Sequence, residues 1–113
     1  MTDQARLIYL TAPDRATAEG LARTIVGERL AACANILGPI TSVYWWDGKI
    51  NEEGEIALLF KTMASNVPAL TDRIRQMHPY ECPCIVALPL EGGNPDFLAW
   101  IAAEIRPATI PTR

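Results

Sequence analysis

The chain has no run of basic residues. Its 10 lysines and arginines are scattered among 13 acidic residues, for a net charge of -3. Non-specific nucleic-acid binding rests on a clustered cationic footprint, so no nucleic-acid partner is expected. No apolar stretch approaches the roughly 20 residues of a membrane-spanning helix, so no membrane partner is expected either. The polar start Met1-Thr2-Asp3-Gln4 leads into an apolar run, Leu7 to Leu10, that is too short for the core of a secretion signal. Cysteine is scarce and odd in number, at three, which argues against a complete disulfide framework. Reduced thiols in a cytoplasmic setting are the expectation. The phosphate-cradling, dinucleotide-binding and H-E-x-x-H motifs are all absent, as is the M-x-C-x-x-C loop. No nucleophile, base and orienting group stand together, so no enzymatic activity is expected.

What is present is a core. Half of the 113 residues are hydrophobic, enough for a single domain over residues 1–113. A chain this small buries a modest fraction of its surface, so assembly would help it. Arg6 to Ala12 reads as a buried strand that Pro13 stops. Asp14 is a helix cap, and Ala18, Leu21, Ala22, Ile25 and Val26 follow at helical spacing, predicting a helix to about Leu30 or Ala32. A second strand opens at Cys33 and bends or bulges at Gly38-Pro39. It resumes to Trp46, where Asp47-Gly48 signals a tight hairpin. The return strand runs from Lys49 to Thr62. These arms are long for a ribbon, and they predict contact with something else, such as another subunit. Ser65 is the expected cap of a second helix, with Val67, Leu70, Ile74 and Met77 on one face. Cys84 to Leu88 reads as a last strand. Asn94-Pro95 starts a last helix with Phe97, Leu98, Ile101 and Ile105 as its stripe. The order β-α-β-β-α-β with an extra C-terminal helix predicts an α+β, ferredoxin-like sandwich with a long hairpin arm. Both main helices belong on one face of the sheet, leaving the other open unless further sheets cover it.

Chemistry concentrates in one segment. His78-Pro79-Tyr80-Glu81-Cys82-Pro83-Cys84 holds the only histidine, a carboxylate and two of the three cysteines. Imidazole, carboxylate and thiolate are the side chains that bind transition metals, so copper or zinc is the implied ion. His78 and Glu81 lead the candidate ligands, with Cys82, Cys84 and Cys33 behind them. The alternatives stay open. A histidine at a helix C-terminus is favoured there by the helix dipole, and free cysteine is often a small core residue. Tyr44, Trp45 and Trp46 could stack on bases, but the acidic residues around them favour a subunit interface.

Several motifs in order and spacing give this chain its resemblance to the CutA family of divalent-cation tolerance proteins. They are Thr11-Ala12-Pro13-Asp14, the run Glu28 to Ile36, Ser42 to Ile50, Lys61-Thr62, His78-Pro79-Tyr80-Glu81 and Phe97 to Ile101. The resemblance implies a ferredoxin-like homotrimer whose hairpin arms reach neighbouring subunits. It also implies a role in the response to copper and other divalent metals, with no catalytic reaction. The family is similar in architecture to PII signalling proteins. That suggests, alternatively, a trimeric sensor or scaffold without a physiological metal, with Trp46, Lys61, Tyr80 and Glu81 lining an inter-subunit cleft. Three positions depart from the pattern. Leu10 stands where some members carry cysteine, and Met77 where some carry a second histidine. Cys84 stands where glutamate is usual, which would shift a site toward softer ions.

Overall fold

A computed structural model describes residues 3–107. The first strand, β1 (Ala5–Ala12), ends at Pro13, and Asp14 caps α1 (Arg15–Gly27) by accepting the Thr17 N–H at 2.7 Å. Two long strands follow, β2 (Cys33–Trp46) and β3 (Lys49–Met63). A single 3-10 turn (Ala64–Asn66) leads into α2 (Val67–Met77), then β4 (Ile85–Pro89) and α3 (Pro95–Glu104). The four strands form one antiparallel sheet in the order β2-β3-β1-β4. This is the ferredoxin-like arrangement, with an added C-terminal helix. Among the described residues no helix is long and apolar enough to cross a membrane.

The core lies between the sheet and the first two helices. Ile8, Leu10 and Ala12 of β1, with Leu58 and Phe60 of β3, meet Ala18, Leu21 and Ile25 of α1 and Leu70 and Ile74 of α2. Alternation along a strand sends neighbouring residues to opposite faces. Ala5 and Met63 therefore face the other way, and there they pack with Ile101 of α3. The second face of the sheet is thus covered at one end by α3. Val86 and Leu88 of β4 remain exposed.

Three local expectations fail for identifiable reasons. The first helix ends at Gly27, short of Leu30. Arg29 takes a left-handed conformation (φ 58°), and its N–H bonds Val26 O while that of Leu30 bonds Ile25 O. This is a Schellman end, which turns Leu30 back onto the core. The i, i+4 spacing of Val26 and Leu30 imitates a further helical turn. Ser65 does not cap α2: its N–H and hydroxyl both donate to the Asp3 carboxylate, and Asn66 occupies the cap position. Of the stripe expected on α3, only Ile101 is fully buried, while Phe97 is exposed and Ile105 lies just beyond the helix.

The hairpin forms as its turn residues require. Asp47 and Gly48 both have positive φ (54° and 74°), the conformation that joins two twisted strands in two residues. Midway, Ile36 pairs with Leu58 and Gly38 with Ala57, so Leu37 is an extra residue without a partner. Gly38 has φ 111°, which a glycine tolerates readily. Beyond this bulge the ladder runs regularly to Trp46 opposite Lys49.

Candidate functional site

The connection from α2 to β4 begins where proline forces the helix to stop. His78 donates its N–H to Ile74 O at 2.8 Å but already has extended backbone, as a residue before Pro79 should. Its ring is buried against β1. Nε2 lies 2.8 Å from the Thr11 carbonyl, and Nδ1 is 3.1 Å from the Tyr80 backbone N–H. A backbone N–H can only donate, so Nδ1 is the acceptor and Nε2 carries the hydrogen given to Thr11. Both ring nitrogens are therefore committed within the chain.

Tyr80 continues the network. Its ring lies 4.8 Å from that of His78, and its hydroxyl donates to Glu55 Oε2 at 2.9 Å. Ser42 donates to Glu55 Oε1 at 2.6 Å. Glu55, on β3, is a nearly buried carboxylate at 9% exposure, and these two hydroxyls offset the cost of removing it from water. Nearby, the Tyr44 hydroxyl donates to Glu53. Burial, reinforced by Glu55, pushes the Tyr80 phenol well above its ordinary range, and the bond to Glu53 raises that of Tyr44. Both therefore stay neutral. Thr11, His78, Tyr80, Glu55 and Ser42 form one hydrogen-bonded chain tying the connection to three strands. Glu55 and Ser42 were not singled out from the sequence as site residues. The available signal was register: Glu55 shares a strand face with Ala57 and Leu59.

The structure gathers some of the predicted residues and separates others. Trp46, Tyr80, Glu81 and Cys82 line one cavity of about 330 Å³ with Tyr44 and Pro79. Tyr80 and Glu81 also border a second, of about 400 Å³, with Asp72, Arg75, Gln76 and Pro83. Cys82 is exposed, whereas Cys84 is partly buried. Burial, with Glu55 nearby, raises the Cys84 thiol, which disfavours the thiolate that a metal needs. Cys33 and Lys61 lie apart from this group. They are cross-strand partners, with Lys61 Nζ 3.7 Å from Cys33 Sγ, bonded to Asn35 Oδ1 and 5.9 Å from the centre of the Phe97 ring. Lys61 lies six positions along β3 from Glu55, about 20 Å of strand. Lys61 therefore does not share a cavity with Trp46 and Tyr80 within a protomer. Among the described residues, no three His, Cys, Asp or Glu side chains converge as a group that could hold a metal ion.

Residues 6–104 match the model of the CutA1 divalent ion tolerance protein family. The chain is 47% identical over 93 residues to Protein CutA of Mus musculus, which covers 82% of this chain and 52% of that protein. It therefore spans about half the length of that relative. It is 42% identical over 103 residues to the divalent-cation tolerance protein CutA of Salmonella newport, covering 91% of this chain and 90% of that one. Among solved structures, it resembles the divalent cation tolerance protein (Cut A1) of Thermus thermophilus. The TM-score is 0.88 at 39% identity, over 90% of this chain and 99% of that one.

Proposed function

The chain belongs to the CutA1 divalent ion tolerance family, and from that premise we propose that it serves in the response to divalent metal ions as a homotrimer, taking up copper or zinc at the α2–β4 connection. The observation that carries this reading is that Glu81 and Cys82, an oxygen and a sulfur donor, line the same cavity open to solvent. His78 joins them only when its ring leaves Thr11 and Tyr80. Cys84 contributes only when its thiol is deprotonated, and Cys33 belongs to the separate Lys61 cluster. Two donors do not close a coordination shell, so uptake through this connection draws on His78 or on a neighbouring subunit. Assembly is supported by the apolar surface of the arm, where Val43, Trp45 and Ile50 share one face and are all more than half exposed. The three unpaired thiols favour a cytoplasmic setting.

Native mass spectrometry of the reduced protein, titrated with Cu(I), Cu(II) and Zn(II), tests the proposal. The expected result is a trimer that takes up metal at low excess. His78→Ala should stay trimeric and lose specific uptake, and unchanged uptake would remove His78 from the ligand set. A trimer that stays free of metal would sink the metal reading. A second reading is a PII-like sensor or scaffold without a physiological metal. It is favoured by the aromatic lining that Tyr44, Trp46 and Tyr80 give the cavity. A specific ligand would then raise thermal stability by mass action.

A further inference from the structure

The cavity beside Tyr80 has a composition that selects among ligands. Three of its six lining residues, Tyr44, Trp46 and Tyr80, are aromatic, and Glu81 is acidic; none is Lys or Arg. Its volume, about 330 Å³, is at the small end of ligand cavities. Both phenol hydrogens are turned onto carboxylates, Tyr44 onto Glu53 and Tyr80 onto Glu55. Neither hydroxyl is therefore left to donate to an anionic guest. The charged groups facing the cavity and standing behind its rings are Glu81, Glu53 and Glu55. Lys49, paired with Trp46 across the strands, does not line it. Arg75 does not line it either, but borders the neighbouring cavity that Tyr80 and Glu81 also line.

A phosphate or carboxylate ligand meets repulsion here. A strongly hydrated ammonium gains little from exchanging water for aromatic rings. A weakly hydrated organic cation gains from both, because ring quadrupoles attract its charge and it loses little hydration. We propose that this cavity binds a small organic cation of the quaternary ammonium class, its head group against Tyr44, Trp46 and Tyr80 and its charge balanced by Glu81. The proposal gives a ligand class to the cavity on which the sensor reading rests.

The test uses the purified protein in its native assembly, with a chelator present. Choline chloride is titrated and followed by calorimetry and tryptophan fluorescence. Its neutral isostere 3,3-dimethylbutan-1-ol is titrated alongside. Saturable choline binding is expected, with the isostere weaker by about tenfold, the loss of a partly desolvated cation–π contact. Trp46→Leu should weaken choline by a similar factor. Because Trp46 lies on the arm, Glu81→Gln on the exposed connection is the second variant, expected to weaken choline severalfold without changing the assembly. Co-sedimentation with phosphatidylcholine vesicles, but not with phosphatidylglycerol vesicles, would identify a lipid head group as the source. Binding of free choline without co-sedimentation would identify a soluble cation. Absence of saturable binding, equal binding of the isostere, or full affinity in Glu81→Gln would overturn the proposal. Metal uptake is measured separately without choline, so loss of either property leaves the other standing.

Discussion

The two ends of the β2–β3 ladder share one pairing pattern and differ in what they pack against. At the body end, Leu58 and Phe60 are fully buried under α1 and α2. Toward the turn, Val43, Trp45 and Ile50 are 62%, 71% and 62% exposed. Backbone hydrogen bonds hold both ends, but only one has a core within the protomer. The ladder alone therefore does not account for the hydrophobic residues of the arm. In the assembly proposed above, a neighbouring subunit would cover them.

The contrast is broken most severely at the body end. Phe60→Ala should cost about 3–5 kcal/mol in urea unfolding, as removal of a fully packed aromatic does. Trp45→Ala should leave the far-UV circular dichroism intact and lower the assembled mass in sedimentation. Equal destabilisation by the two variants would mean that the arm has its own core. Between the two ends stands Glu55, so Tyr80→Phe comes next. That variant leaves Ser42 as the carboxylate's one hydroxyl donor, at a cost of about 1–3 kcal/mol. Its pH dependence has a definite sign. The Tyr80 phenol is raised by burial and then by Glu55, so the unfolded chain loses that proton first. Stability is complete below about pH 10, the ordinary tyrosine value, and falls as pH rises beyond it. Alkaline unfolding curves of Tyr80→Phe should be flatter, with a residual slope from Tyr44. The smallest effect belongs to the surface of the helical layer. Arg73 holds Glu28 at 3.0 Å and lowers its carboxyl. That contribution is present above the ordinary glutamate range and is lost as pH falls through the depressed value. Arg73→Ala should remove this acid slope while barely moving the midpoint at neutral pH.

Much of the architecture was legible because it rests on local chemistry. Asp47-Gly48 can hardly be anything but a tight turn, Asn94-Pro95 starts α3 with Asn94 accepting from the Asp96 N–H, and Gly38 marks the bulge. The failures share a different cause. Ser65 is claimed by Asp3, which lies 62 residues away in the chain. Arg29 holds an uncommon backbone conformation whose side chain bonds Glu104, so the end of α1 depends on α3. At the candidate site, the segment His78 to Cys84 announced itself by composition. The commitment of both His78 nitrogens, and the burial of Glu55 beneath Tyr80, depend on strands distant in sequence. Composition could nominate ligands there but could not say which were free to serve.

The unpaired Leu37 also makes the length of β2 unevenly tolerant of change. Ala34 and Ile36 face the helices, yet beyond the bulge residues of the same parity, Ser42, Tyr44 and Trp46, share the opposite face with Glu53 and Glu55. Removing Leu37 would straighten the ladder and leave every pairing on either side in place. Removing Thr41 instead would also absorb the bulge, but it would exchange the faces of the side chains from Gly38 to Ile40, while the turn keeps Ser42, Tyr44 and Trp46 opposite their partners. The bulge thus gives β2 one residue of slack, and Leu37 is where that residue can be lost without turning another side chain to the opposite face.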